Sequence, residues 1–134
     1  MANALYDHGR NAFLRGEIAW HSDTIKVILV DTDDYTVDLA NHDYLDDVPA
    51  AARVATATLS GQTATAGVAD ADDTTFSSVT GDTCEALIIY KDTGTESTSP
   101  LIAYIDDATG LPITPNGGDI TVKWDDGANK IFKL

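Results

Sequence analysis

The sequence predicts an all-β fold, an antiparallel β-sandwich preceded by a short N-terminal helix or arm. The acidic residues are 19 Asp and only 3 Glu, and Asp is disfavoured within helices but favoured at turns. Thr, a residue that favours strands, is abundant. Short apolar runs alternate with clusters of Gly, Asp, Ser, Thr and Pro about every 8–15 residues, which is typical of sandwiches. A jelly-roll-like topology is favoured, with an immunoglobulin-like one as the alternative.

The N-terminal segment is the best helix candidate. Asn3 can cap a helix over the first 16 residues, and Leu5 and Phe13 fall near one of its faces. Gly9 weakens this helix, and Gly16 is a natural stop. We therefore expect two parts, an N-terminal helical segment or arm at residues 1–20 and a single β-sandwich domain at residues 21–134.

The strands are predicted from their period of two. Residues 24–30 carry apolar side chains on both faces, so this strand is expected to be central. Trp124 is in phase with Ile120 and Val122, which places it in the core. The predicted strands are residues 24–30, 35–39, 53–59, 62–66, 74–79, 84–91, 101–105, 120–124 and 130–134.

Two glycine-containing turns mark the C-terminal segment. "PNGGD" at residues 115–119 has no lysine and no following helix, so we expect a corner that leads into a strand and not a phosphate-binding loop. "DDGAN" at residues 125–129 is a turn of the Asp-Gly type, which predicts that the last two strands form a hairpin.

The formal net charge of −14 is the most unusual property of the composition. Binding to nucleic acid depends on Lys and Arg contacts with phosphates, so a direct role on DNA or RNA is disfavoured. No segment reaches the ~20 apolar residues needed to cross a bilayer, and the N-terminus lacks the apolar stretch of a signal peptide. We expect a protein that is synthesised in a cytoplasm and binds neither nucleic acid nor membrane.

The residues do not indicate an enzyme, a cofactor or a metal site. The acidic stretches at residues 31–34, 70–73 and 106–107 read as solvated turn carboxylates, with structural Ca²⁺ as the lesser alternative. His8, His21 and His42 share no ligand spacing, and the common nucleophile and phosphate motifs are absent. Cys84 lies in an apolar run, where we expect a small buried residue.

Aromatic residues raise one further possibility, a carbohydrate-binding face. Sugar sites on β-sandwiches stack rings on aromatic side chains, and this chain has Trp20, Trp124 and several tyrosines. The expected burial of Trp124 weighs against this hypothesis. Trp20 ends the N-terminal segment, and there it is free to pack on a partner.

Several segments taken together resemble a family of small structural proteins encoded by many tailed bacteriophages. The resemblance covers essentially the whole chain. It is carried by "LYDHGRNAFLRGEIAW" (residues 5–20), "DTIKVILVDTDD" (23–34), "YLDDVPAAARVA" (44–55) and "TPNGGDITVKWDDGANKIF" (114–132).

The resemblance implies a non-enzymatic virion protein, and above all a capsid decoration (cement) protein on the head exterior. Its implied partners are the major capsid protein and copies of itself, as a homotrimer, and it would be synthesised in the host cytoplasm. No catalytic or cofactor residue carries over from the family. A tail or head-fibre component and a glycan-binding module on the virion surface are the alternatives.

The N-terminal segment supplies the candidate partner contacts. These are Leu5, Phe13, Ile18 and Trp20, together with loops such as residues 92–100. If the segment is an anchoring arm, deletion of residues 1–20 is expected to abolish particle binding and to leave a folded β domain.

Overall fold

The computed structural model describes residues 4–106, 111–124 and 131–133, and these form an all-β, sandwich-like fold with one short α-helix. All strand pairs of the described residues are antiparallel, as predicted. Short 3₁₀ turns lie at Leu45–Asp47, Ala50–Ala52 and Glu96–Thr98. The remaining elements are β1 (Ala4–Leu5), α1 (Asp7–Leu14), β2 (Ile25–Val30), β3 (Arg53–Thr58), β4 (Thr63–Thr65), β5 (Val68–Asp70), β6 (Thr74–Phe76), β7 (Ala86–Lys91), β8 (Leu101–Ile105), β9 (Ile120–Val122) and β10 (Phe132–Lys133).

The main sheet has the strand order β1-β8-β7-β2-β3. β2 lies inside the sheet, which confirms the prediction made from its two apolar faces. Two small sheets accompany it, one with the order β10-β5-β4 and one that pairs β6 with β9. Ile28 of β2 faces Ile88 of β7, and Ile88 faces Tyr104 of β8, so this row crosses the sheet on one face.

Apolar clusters cover both faces of the main sheet. On one face, Val27, Leu29 and Ile89 pack with residues of α1 and of the small sheets. On the other, Ile28 and Ile88 pack under residues of the long connection 31–52. Burial of one such side chain contributes about 1.5–3 kcal/mol, so these two layers supply most of the driving force for folding.

The N-terminus differs from the prediction in where its helix begins. α1 starts at Asp7, because Ala4–Leu5 form β1 and pair with Tyr104 and Ala103 of β8. The proposed cap, Asn3, lies outside the described residues. The first residues therefore complete an edge of the main sheet and do not extend the helix.

Two glycines of this region have definite roles. A Cβ at Gly9 would lie 2.5 Å from the Leu101 carbonyl oxygen, so the residue that weakens the helix is also the one that allows α1 to approach β8 closely. Gly16 has φ +73°, a left-handed conformation that glycine adopts without strain. It lies two residues after the last residue of α1, Leu14, at the position predicted for a helix stop.

Residues 35–39 were predicted as a strand, and this prediction is wrong. The alternation of Tyr35, Val37 and Leu39 is real, but these residues lie in the long connection and pack on the second face of the main sheet. The carboxylate of Asp38 accepts hydrogen bonds from the Ala40 and Asn41 N–H groups, which turns the chain. The sequence reading also omitted β5, a three-residue strand.

The C-terminal segment confirms one expectation and contradicts another. The "PNGGD" stretch is a corner, in which Asn116 Oδ1 accepts the Gly118 N–H at 3.0 Å and Gly117 has φ +88°. The predicted hairpin of the last two strands is wrong, because β9 pairs with β6 and β10 pairs with β5. The "DDGAN" turn lies outside the described residues. Trp124 is 8% exposed, as its phase predicted.

Replacement of Phe132 tests whether the C-terminal strand closes the core. Its ring lies 5.1 Å from that of Trp20 and 5.8 Å from that of Phe13. We expect Phe132→Ala to lower the free energy of unfolding in urea by about 2 kcal/mol, a reduced value for a half-buried ring. Leu14→Ala is the control, because Leu14 is 85% exposed and should change it by less than about 0.5 kcal/mol. Equal stabilities of the two variants would contradict the packing.

Candidate functional site

The four candidate partner contacts of the N-terminal segment lie against the domain. Ile18 and Trp20 are each 5% exposed within the first core cluster, and Leu5 and Phe13 are half-buried against it. Trp20 Nε1 also donates a hydrogen bond to the Asp70 carbonyl oxygen at 3.1 Å. A partner role for these residues stays a prediction, but in this conformation their surfaces are used mainly by the chain itself.

This packing changes the expectation for the N-terminal deletion. Removal of residues 1–20 would take away β1, α1 and the Trp20 ring. Loss of a buried aromatic side chain alone costs about 3–5 kcal/mol, and a small domain has only about 5–15 kcal/mol of stability. We therefore expect the truncated chain to be strongly destabilised, and the deletion cannot separate anchoring from folding.

The loop at residues 92–100, the other contact candidate, is held by its own hydrogen bonds. The Ser99 hydroxyl donates to the Thr95 carbonyl oxygen at 2.8 Å, and its oxygen accepts the Thr93 N–H at 3.1 Å. The side chains of Thr93 and Thr98 remain exposed. The loop therefore presents hydroxyl groups on an ordered backbone.

Carboxylates gather at one end of the main sheet, which we call the acidic end. Val30 at the end of β2 pairs with Ala86 at the start of β7, so the segments that follow β2 and precede β7 lie together. The Glu85 carboxylate accepts the Thr32 N–H at 3.0 Å and the Thr32 hydroxyl at 3.1 Å. The acidic end consists of Asp31, Asp33, Asp34, Asp82 and Glu85.

Ion pairs occupy other parts of the molecule. Lys91 Nζ lies 3.1 Å from Asp23 Oδ2, and Lys26 Nζ lies 3.0 Å from Asp92 Oδ2. Both pairs lie at the opposite end of the main sheet, since Ile25 pairs with Lys91. The other ion pairs of the described residues are Arg10–Asp7, Arg15–Glu17 and Arg53–Glu96.

The two ends of the sheet therefore differ in electrostatic character. Among the described residues, no Lys or Arg forms an ion pair with a carboxylate of the acidic end. Five of the chain's eight basic residues are engaged by other acids. A partner that approaches the acidic end meets concentrated negative potential, which attracts cationic surfaces and repels phosphates.

Two groups of Asp residues have the proximity that a cation site needs. The carboxylates of Asp31, Asp34 and Asp82 offer oxygens within 4.8 Å of one another, and so do those of Asp43, Asp46 and Asp47. Asp31 is 3% exposed, and its Oδ1 accepts the Asp33 N–H at 2.9 Å. This local bond is the turn role predicted for these residues, so the structural Ca²⁺ alternative gains no separate support.

A chain of hydrogen bonds lies beneath the long connection. The Tyr6 and Tyr35 hydroxyls are 2.8 Å apart, and the Tyr35 hydroxyl lies 2.8 Å from His42 Nδ1. Burial raises the pKa of Tyr6 far above its usual range and that of Tyr35 to about 12. Both phenols therefore stay protonated at neutral pH and fasten the connection to the sheet. The sequence showed only that His42 shares no ligand spacing with the other histidines, and this hydrogen bond was not predicted.

Cys84 is fully buried, as predicted. Burial is the main cause that raises the pKa of its thiol to about 11. The nucleophilic form of cysteine is the thiolate, so Cys84 has the protonation state of a structural residue and not of a reactive one.

The aromatic side chains form no exposed row. Every Trp, Tyr and Phe is either buried or half-buried, and all ten lie in the described residues. Trp124 also donates from Nε1 to the Thr74 hydroxyl at 3.3 Å. A sugar-stacking surface needs open rings, so the glycan-binding alternative loses its best candidates.

No family model matches the chain, and no curated protein matches its sequence. Within the described residues, the helices are too short or too polar to span a lipid bilayer. Assignment of a function therefore depends on the site geometry and on the sequence resemblance.

The acidic end is the feature that sequence reading missed as a unit. The stretch at residues 31–34 was recognised as a turn, but Glu85 fell within the predicted strand 84–91 and Asp82 lay outside every predicted strand. Only the pairing of β2 with β7 joins the two segments. The sequence did contain one signal for the acidic end. An acid directly flanks each of two apolar strands, Asp31 after Val30 and Glu85 before Ala86.

The ion pair of Lys26 with Asp92 predicts how the stability of the fold depends on acidic pH. A hydrogen bond from the Gly94 N–H and then the Lys26 ammonium lower the pKa of Asp92 below its ordinary value of 3.8. A carboxyl with a lowered folded-state pKa stabilises the fold above its unfolded-state pKa, and this stabilisation is lost as pH falls through the folded-state value.

When the pH is lowered from about 5 to 2.5, the free energy of unfolding of Asp92→Asn should therefore fall by less than that of the native chain. The variant has no carboxylate at this position that can be protonated. The measurement is urea unfolding over this pH range. Asp46→Asn is the control, since this exposed residue is in no ion pair of the described residues. Parallel pH profiles for Asp92→Asn and the native chain would contradict the assignment.

Proposed function

We propose that the chain is a non-enzymatic structural protein of a tailed-phage virion, and specifically a capsid decoration (cement) protein. In this role it binds the outer surface of the head lattice through the major capsid protein and assembles with copies of itself, as a homotrimer. The proposal rests first on the family resemblance along the whole chain. The structural observation that supports it best is the segregated acidic end.

The acidic end suits a basic protein surface. Several carboxylates lie on turns between strands of a well-packed sheet, so they are held in place without a partner. Fixed like charges steer a partner of opposite sign and raise the rate of encounter. The same charge repels packaged nucleic acid, as a protein on the exterior of the head requires.

The remaining features agree with a structural role. Both faces of the main sheet are covered by apolar clusters, and the buried Tyr and Cys side chains have raised pKa values that suit neither nucleophiles nor bases. A tail or head-fibre position remains the alternative virion role, and copy number separates the two.

The first test is the number of copies in purified virions, measured by quantitative mass spectrometry against the major capsid protein. A decoration protein covers a repeating lattice and should be present in copies comparable to the lattice sites. A handful of copies would assign the chain to a tail or fibre instead. Absence from the virion would overturn the proposal.

The second test is binding to heads assembled from the major capsid protein alone. We expect Asp33→Asn/Asp34→Asn to weaken binding about tenfold at low salt, equivalent to about 1.4 kcal/mol, with most of the loss in the association rate. The matched control is Asp46→Asn/Asp72→Asn, which removes the same charge from exposed positions elsewhere. Equal weakening by both variants would show a general charge effect and contradict a role for the acidic end.

A further inference from the structure

One long stretch of the chain carries no charge, and we call it the neutral run. Residues 54–69 contain no Asp, Glu, Lys, Arg or His, although charged residues make up 22% of the sequence. No other uncharged stretch of the chain is as long. The neutral run contains most of β3 and all of β4, and each of these strands lies at an edge of its sheet.

The β3 edge presents unpaired backbone groups. The Leu59 N–H donates to the Ile25 carbonyl oxygen at 2.8 Å, and this bond fixes which residues of β3 face β2. In an antiparallel pair these residues alternate, so Thr56 and Thr58 point their N–H and C=O groups away from the sheet. No hydrogen bond engages these groups within the described residues, and both side chains are exposed.

The β4 edge has the same character. A two-residue turn at Ala66 and Gly67, with φ +54° and +78°, joins β4 to β5. Ala64 of β4 pairs with Ala69, whose carbonyl oxygen faces the other way and accepts the Ile131 N–H at 3.1 Å. The backbone groups of Ala64 therefore point outward, and every residue of β4 is exposed.

Free strand edges are templates for pairing with another chain, and proteins usually protect them with charged side chains. Of the 30 charged residues of this chain, only Arg53 belongs to either strand, at the start of β3, and its guanidinium is paired with Glu96. We propose that β3 of one copy pairs with β4 of the next copy, so that the neutral run is the contact between subunits.

Charge selects a second copy as the occupant. Two chains with net charge −14 repel each other wherever acidic surfaces meet, so a contact between copies requires a neutral surface, and the neutral run supplies one. If β3 of one copy paired with β3 of another, the absence of charge on β4 would have no function. Pairing of β3 with β4 uses both edges, and such a head-to-tail contact closes a ring when the rotation allows. This inference rests on the self-association part of the proposed function.

Proline variants test the contact in the purified protein. Thr56→Pro and Ala64→Pro each remove an outward N–H group and no bond within a sheet, a position where edge strands tolerate proline. Thr56→Ala and Ala64→Ser are the matched controls, because they keep the N–H group. We expect sedimentation equilibrium to give a closed oligomer of three 14.2 kDa chains for the native protein and the controls, and monomers for each proline variant.

A mixture of the two proline variants distinguishes the arrangement. The Ala64→Pro variant has an unaltered β3 edge, and the Thr56→Pro variant has an unaltered β4 edge. These two edges can pair with each other and with nothing further, so the mixture should form a complex of two chains. An Ala64→Pro variant that still associates like the native protein would overturn the pairing of β3 with β4. A native protein that is monomeric at every concentration would overturn the contact altogether.

Folding and head binding are measured on the same samples. Circular dichroism reports whether the proline variants fold. If they do not, Thr56→Glu and Ala64→Glu replace them. We expect each glutamate variant to be monomeric, and an oligomer formed by either one would contradict the contact. A monomeric native protein that binds heads would overturn this inference and the self-association part of the proposed function, and it would leave the capsid decoration role intact. An oligomer that binds no heads would overturn the capsid decoration role and leave this inference intact.

Discussion

The antiparallel pairing of β2 with β7 sets the register of the main sheet and determines which segments meet at each of its ends. Six consecutive residue pairs join them, from Ile25 with Lys91 to Val30 with Ala86. A shift of one residue would exchange the two faces of a strand, and it would also separate Lys91 from Asp23. Burial of apolar side chains thus favours the association of β2 with β7. The charged residues at the ends of these two strands favour the observed register.

The same pairing divides the charges of the molecule. Because β2 and β7 are antiparallel, the segments after β2 and before β7 meet at the acidic end, and the cations of both strands meet acids at the other end. Charge at one end is compensated internally, and charge at the acidic end is available to a partner. The apolar strands therefore serve as the scaffold for an electrostatic surface, and the neutral run offers a second surface of a different kind.

Much of the fold was predictable, because alternation and turn residues are local signals. The interior position of β2, the burial of Trp124 and the corner at residues 115–119 all followed from the sequence. The pairing of β9 with β6 did not, since it joins residues 44 to 48 positions apart, from Phe76 with Ile120 to Thr74 with Val122, and periodicity carries no information about partners. Residues 35–39 alternate like a strand, but Asp38 hydrogen bonds turn the chain there.

The candidate site was predictable only in parts. Individual acids were correctly read as turn residues, because Asp31 accepts a hydrogen bond from the backbone two positions later. Their assembly into one end required the register of the main sheet. The N-terminal aromatic residue Trp20 was expected to be free for a partner, yet it is buried next to Phe132, a contact between the two ends of the chain that no local pattern encodes.

An electron-microscopy map of the virion at subunit resolution tests the central claim most directly. We expect density for this β domain at repeated positions on the outer surface of the head, with the acidic end turned toward basic residues of the lattice. Density confined to the tail, or a head-bound domain whose acidic end faces solvent, would contradict it.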